Sequence, residues 1–522
     1  MTQETPIRRG IAIAALAALL AGPTVLAFFA GGFFDVPRAW AGIIAWALVL
    51  IAALVVPHPL PRDRAALISL VGLGLFAGWT LASTAWAPIK GDAYQAGVRT
   101  FVYLGVLTAA CALLRAPRAR RLVEPALATG ILIVIGYGLS ERLLPGLLHF
   151  HRSLSAEGRL EQPLTYWNAT GELAAIGVVL VARLAGDARR PWALRAAALA
   201  AAAPLGLGLY LSFSRGALFA CAAGVITLAV ALPERAQLRA GLLSLVTVVL
   251  AAVASSPFGG VTGMSGSLGT REGQGAGVLV ALVAIAVAAV LVGRRLLQPG
   301  PSGAVRLPRH APLIALVVVC AGLALAIVAG AHEASGRPLA GGATRLTTFE
   351  SNRYDYWRVA LHAFGQEPLR GIGAGGWAVK WLQRRPHGVG GAEDAHSLPL
   401  QTAAELGIVG LIFLAMFLGG LAVAARRAHR ISAAAATGPL AAFVAYIAHS
   451  PLDWDWEMPA LTLVALILAG ALLIGADDPP ATTAGGLGDR ARDGEWSATV
   501  PASHASARTS GAEGAGAGSH RD

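Results

Sequence analysis

Three side chains able to do chemistry interrupt an otherwise apolar sequence. Arg215 lies in SFSRGALFA (212–220), a short turn between two apolar stretches. A guanidinium there either snorkels at a hairpin tip or acts as a fixed cation facing an interior cavity. In SNRYDYWRVALHAFGQEP (351–368), Tyr354, Trp357, Leu361 and Phe364 recur at i, i+3, i+7 and i+10, which predicts one face of an amphipathic helix. Asn352 is the expected N-cap, Asp355 resembles the partner of a capping box, and Pro368 marks the end. Arg353 then stands beside free backbone N–H groups, an arrangement suited to a phosphate. The competing reading is a helix lying on the bilayer with Arg353 and Arg358 in water. His396, in EDAHSLPLQTAAELGIVGLIFL (393–414), sits where an apolar run begins, and Gln401 and Glu405 share a helix face. A lone imidazole at an interface is structural more often than catalytic. What favours chemistry is its company of arginines, a carboxylate and aromatic rings. GIGAGGWAV (371–379) matches GxGxxG through Gly371, Gly373 and Gly376. No strand precedes it and no βαβ unit surrounds it, so a close-packing turn under Trp377 is expected instead of a dinucleotide site.

The scaffold that must position these groups is constrained by composition. Of 522 residues, 56% are hydrophobic and 13% charged, against about 25% charged in an ordinary soluble domain. So few charges cannot cover a water-facing surface, which excludes a soluble enzyme and points to lipid. Apolar runs of about 17 to 23 residues predict an all-α polytopic membrane protein with about 14 transmembrane helices (12 to 14). They fall near 10–30, 39–56, 65–86, 98–114, 122–140, 167–184, 193–213, 216–232, 239–255, 275–293, 311–331, 404–425, 432–449 and 459–475. Every second gap is basic, beginning with Arg62 and Arg64 and including the cluster from Arg115 to Arg121. The alternate short gaps around Asp35, Asp92, Arg271 and Asp453 are poor in Lys and Arg. The positive-inside rule then places both termini in the cytoplasm and the long loops at 141–166 and 332–403 outside. The net charge of +12 is accordingly a topology signal, with no nucleic-acid partner implied. Cys111, Cys221 and Cys320 lie inside apolar runs and form neither a disulfide framework nor a metal-ligand spacing. The 332–403 loop is too aromatic for disorder and is expected to be functional. The tail from Ala476, rich in Gly, Ala, Ser and Thr, is expected to be disordered and cytoplasmic.

Taken in order and spacing, SFSRGALFA, NRYDYWRVALHAF…PLRGIGAGGW and AHSLPLQTAAELGIVG resemble the O-antigen ligase and polymerase superfamily over roughly residues 195–420. Members transfer glycans at the outer face of the bacterial plasma membrane. The resemblance maps Arg215, Arg353 and His396 onto the family's arginine in the short turn, arginine in the large loop and histidine near its end. Asn168, in RLEQPLTYWNATGELAA (159–175), matches a further family position, and Ser397 stands where an Asn often follows the histidine. The implied donor is an undecaprenyl-diphosphate-linked glycan and the acceptor a glycan, lipid or protein, with no cofactor and no metal. A diphosphate is already a good leaving group and needs positive charge, for which Arg215 and Arg353 are the candidates and Arg358 the support. The acceptor hydroxyl needs a base near neutral pKa, which His396 would supply. Glu405 is expected to orient His396 or bind sugar hydroxyls, and Trp377 and Trp381 to stack on sugar rings. The expected organisation is N-terminal helices over 1–192, a ligase-related region over 193–425, C-terminal helices over 426–475 and the tail over 476–522. The rival is a transporter or flippase for lipid-linked glycans, which would tend to show internal repeats, interrupted helices and mid-membrane charges. No clear repeat is visible, and the span centres are nearly free of charge.

Overall fold

In lipid a backbone must satisfy its own hydrogen bonds, so apolar runs of this length become helices. A computed structural model of the chain, describing residues 6–151, 153–298, 303–331, 346, 352–386 and 390–479, has that form. The first half comprises α1 (Pro6–Ala27), α2 (Asp35–Val55), α3 (Arg64–Ala82), α4 (Lys90–Leu113), α5 (Pro117–Leu143), α6 (Trp167–Gly186), α7 (Trp192–Leu211), α8 (Arg215–Ala231) and α9 (Arg235–Ser255). The second half comprises α10 (Gly259–Thr262), α11 (Leu268–Leu296), α12 (Ala311–Ala331), α13 (Arg353–Gln366), α14 (Gly376–Arg384), α15 (Leu398–Ile431), α16 (Ala433–His449) and α17 (Pro459–Gly475). Among the described residues ten helices are long and apolar enough to cross a membrane, and α8, α12, α16 and α17 add shorter apolar stretches. Together they correspond to the expected spans, and the protein is an all-α polytopic membrane protein. The expected disordered tail lies outside the described residues from residue 480 onward, as do parts of the long loop.

Burial sorts the helices by their surroundings. α6 and α17 are enclosed by the other helices; α17 is apolar almost all round, as such a place requires, whereas α6 also buries Asn168, Glu172 and Arg183. α2 and α11 sit at the rim and expose Ile43, Ile44, Leu50, Val280 and Leu291, side chains suited to lipid contact. Contact between α3 and α15 is close because both carry glycine at the crossing. A Cβ on Gly72 would lie 2.5 Å from the Phe417 nitrogen, and one on Gly420 would lie 2.6 Å from the Ala65 oxygen.

α15 is interrupted at Gly407, whose φ of 65° and ψ of −162° are open only to glycine. The backbone groups freed by the break are satisfied by the segment that leads into α14. Ile372 N–H donates to Ala404 O (3.0 Å), Gly373 N–H to Glu405 O (2.8 Å), and Ile408 N–H to Pro368 O (2.8 Å). Trp79 Nε1 donates to Leu406 O at 3.0 Å. The glycines of GIGAGG therefore serve backbone-to-backbone approach: a Cβ on Gly371 would stand 2.2 Å from the Glu405 carbonyl carbon. The expected close packing is present, and its partner is the broken turn of α15.

Two expectations for α13 need correction. Asn352 occupies the N-cap position but makes no side-chain cap hydrogen bond. The buried face is Asp355, Val359, Ala360 and Ala363, whereas Tyr354 and Leu361 of the expected apolar face are exposed. α13 packs that small-residue face, with Tyr356, onto Trp377 and Trp381 of α14, which leaves Tyr354 and Leu361 exposed and Trp357 and Phe364 half-buried.

Candidate functional site

At the end of the bundle where α15 begins, α13, α14, the α5–α6 loop and the α16–α17 loop enclose an open cavity of about 810 Å³. Tyr166, Asn168, Arg353, Asp394, His396 and Trp454 are among its lining residues. The α5–α6 loop is held in place by Arg142, which donates to Val261 O (2.9 Å) and Gly158 O (2.6 Å). Arg159 covers the Trp167 ring at 3.7 Å.

Arg353, the first residue of α13, donates through Nη2 to Oδ2 of fully buried Asp453 in the α16–α17 loop. Tyr166 donates its hydroxyl to Asp453 Oδ1 at 2.7 Å, and Asn168 Nδ2 donates to the Tyr166 hydroxyl at 2.7 Å. Asp453 thus fixes a guanidinium at the cavity wall and is itself fixed from behind. Burial pushes the Asp453 carboxyl up, but Arg353, His396 and His449 outweigh this and hold it below its ordinary value. Burial likewise would lower Arg353, yet Asp453 keeps its guanidinium above the ordinary value.

His396 has a left-handed backbone (φ 51°) and presents Nδ1 to the Asp394 carbonyl at 2.9 Å. A carbonyl only accepts, so Nδ1 carries the proton of the neutral ring and Nε2 keeps its lone pair. The ring lies between Tyr356 and Trp454, with centroids 5.1 and 5.8 Å away. Burial lowers the pKa of His396; Asp453 opposes this and Arg353 adds to it, leaving the group below 6.5. Burial, reinforced by Glu457, pushes the neighbouring Asp394 carboxyl up to about 7.

The structure brings together Arg353, His396 and Asn168 among the expected site residues. Arg215 is half-buried at the head of α8 and does not line this cavity. It neighbours Gly216, where a Cβ would lie 2.7 Å from His449 Nε2; His449 Nδ1 in turn meets Asp455 Oδ2 at 2.7 Å. Arg358 points to water, 4.8 Å from the Tyr354 ring and 3.9 Å from Asp355. Trp377 and Trp381 are fully buried and stacked on each other 5.6 Å apart, with no ring face open to a sugar. Glu405 accepts from the Trp377 backbone N–H at 3.1 Å, a contact at the start of α14 and not with the imidazole. Sequence reasoning missed Asp453, Tyr166 and Asp394. The available signal was LDWDWE (452–457), three acidic residues set between tryptophans in a short loop.

Fold and site together define a polytopic membrane protein with a polar cavity, bearing an anchored arginine and a histidine, at one end of its bundle. Residues 271–415 match the family model described as O-antigen ligase, just over a quarter of the chain, from α11 through the cavity loop into α15. The match supports an O-antigen ligase-like family assignment and, with it, a glycosyl-transferring membrane enzyme of surface polysaccharide synthesis. Arg353 and His396 lie inside the matched segment, while Asn168, Arg215 and Asp453 lie outside it. None of the curated proteins compared with the chain matches it.

Proposed function

We propose that the protein transfers or polymerises an undecaprenyl-diphosphate-linked glycan onto an acceptor hydroxyl at the outer face of the bacterial plasma membrane. The observation that carries this reading is the convergence of Arg353, anchored by Asp453, and His396, with Nε2 unprotonated, on one open cavity. His396 Nε2 takes the proton of an acceptor hydroxyl in a sugar, lipid or protein. The acceptor oxygen then bonds to the anomeric carbon of the donor, and the bond from that carbon to the diphosphate breaks. The electron pair leaves with the polyprenyl diphosphate. Its growing negative charge is met by the Arg353 guanidinium, and Arg215, at the head of α8 and outside the cavity lining, would act on it only through its charge at a distance. In this scheme the charge that a metal would supply comes from arginine. Asn168 and Tyr166 hold Asp453 and so position Arg353.

The flippase reading gains nothing from the interruption of α15. A transporter's broken helix turns free backbone groups toward substrate or ion, whereas here the break is filled by residues 368–373 and Trp79.

The test is reconstitution of the full chain in vesicles with undecaprenyl-diphosphate-linked glycan and acceptor. His396→Ala is expected to lower transfer at least ~100-fold, with Arg353→Ala and Arg215→Ala also impaired. Wild-type rates in all three variants, at equal folded levels, would refute the proposal. Donor crossing the bilayer unaltered, with no transfer, would favour a flippase.

A further inference from the structure

The end of the bundle opposite the catalytic cavity holds a second cavity, of about 350 Å³. Arg120 and Arg121 from the first turns of α5 and Arg189 and Arg190 from the α6–α7 loop line it, beside Glu124, Asp187 and Asp478. Its charges do not balance. Asp187 is shared by Arg183 (3.4 Å), Arg189 (2.7 Å) and Arg190 (3.6 Å). Glu124 is shared by Arg183 (3.9 Å) and Arg190 (3.6 Å). Two carboxylates therefore serve three guanidinia, while Asp478 is occupied by Arg120. Arg121 is exposed and has no ion-pair partner among the described residues. Glu124, Arg183 and Asp187 are buried and fix the cluster from within, while exposed Arg121 and Arg189 carry the excess at the cavity mouth.

α5, α7 and α16 begin at this cavity and α6, α15 and α17 end there, so the partial charges of the helix termini offset one another and the arginine side chains alone carry the excess. On the adjacent face of α5, one residue beyond Arg121, a second and apolar space opens. This groove, of about 610 Å³, runs between α1 and α5 and is lined by Leu16, Leu20, Leu122, Pro125 and Ile133 among others.

We propose that the arginine cavity binds the phosphate headgroup of an anionic phospholipid, with an acyl chain in the groove between α1 and α5. Guanidinium groups recognise phosphate by paired charge-assisted hydrogen bonds. The groove distinguishes a lipid from a free anion, because inorganic phosphate has nothing to place there. The site is separate from the transfer chemistry and does not depend on it.

The purified full-length protein is titrated in detergent with short-chain phosphatidylglycerol, short-chain phosphatidylcholine or inorganic phosphate. Thermal unfolding is the readout, and native mass spectrometry counts retained lipid. Phosphatidylglycerol is expected to raise the unfolding temperature and to be retained, while the other two are not. Arg121→Glu and Arg190→Gln are each expected to weaken that binding about tenfold or more, the loss of one charge-assisted contact. Arg426→Gln, at an exposed position of the same end that does not line the cavity, leaves it unchanged. Equal effects of the two lipids would overturn the proposal. So would full stabilisation by phosphate alone, or wild-type affinity in Arg121→Glu, whose exposed position makes misfolding a poor explanation.

Discussion

Under the proposed mechanism His396 is the base and must be unprotonated before it can act, so its environment would set the acid limb of the reaction. Burial, with Arg353, keeps its pKa below 6.5 against the opposing pull of Asp453. Transfer by the wild type is therefore expected to hold steady from neutral pH down to below 6.5 and then to fall as the imidazole protonates, read as kcat/KM against pH. Asp453→Asn removes the charge that raises His396, so the acid limb should move to lower pH. The same change strips Arg353 of its ionic anchor, and the pH-independent rate should drop about 10- to 100-fold, the equivalent of one charge-assisted hydrogen bond. An acid limb left in place by Asp453→Asn would rule out electrostatic contact between the two groups. Arg353 and His396 were legible in the sequence because a cation or an imidazole interrupting apolar residues is a local signal. Asp453 was not, since its partner is 100 residues away and its loop reads simply as one poor in Lys and Arg. Trp377 and Trp381 misled for a related reason: an aromatic ring has the same composition whether it meets a sugar or another ring.

The interruption of α15 and the start of α14 form one joint, and that joint sets where the cavity wall begins. Gly407→Ala would place a Cβ 2.4 Å from the Leu369 oxygen in a backbone conformation closed to alanine. Strain of about 1–3 kcal/mol and overpacking of similar size are expected, seen as a large loss of folded protein by size-exclusion chromatography. Glu405→Ala separates two roles for a second residue of the joint. As the acceptor for the Trp377 N–H, Glu405 should contribute about 1–2 kcal/mol to stability. Its loss should lower the unfolding temperature and leave the acid limb of transfer where it is. Movement of that limb would restore the role of orienting His396. The spans were legible at this scale because length and hydropathy alone decide them. The orientation of α13 was not: beside a membrane an apolar stripe has two possible destinations, protein or lipid, and periodicity cannot choose between them. Val359, Ala360 and Ala363 face α14 because small side chains let the backbone approach the paired tryptophans, a fit that depends on a neighbour about 20 residues further on.

Across the whole molecule, charge is divided between the two ends of the bundle. Arg62, Arg115, Arg120, Arg189, Arg190 and Arg427 gather at the end opposite the Arg353–His396 cavity, several tied to Asp63, Asp187, Asp477 or Asp478. The cavity end instead mixes Asp35, Asp92, Asp394, Asp453, Asp455 and Glu457 with Arg38, Arg99, Arg142, Arg159 and Arg353, several of them paired, without the basic excess. An excess of basic residues is retained on the cytoplasmic side during insertion, which predicts that the Arg353–His396 cavity faces outward. Single cysteines test this in a Cys320→Ala background, since Cys111 and Cys221 are buried. Gln383→Cys, exposed at the end of α14, is expected to react with a membrane-impermeant maleimide in intact cells. Arg426→Cys, exposed near the end of α15, should react only after permeabilisation. The reverse pattern would place the cavity in the cytoplasm, where a nucleotide-linked donor would be accessible, and would remove the reason for assigning a lipid-linked one. The expected pattern matters for mechanism as well as for topology. The proposed polyprenyl donor is confined to the bilayer, so its diphosphate would reach Arg353 only at the membrane surface, where the bundle holds the anchored guanidinium and His396 in one cavity.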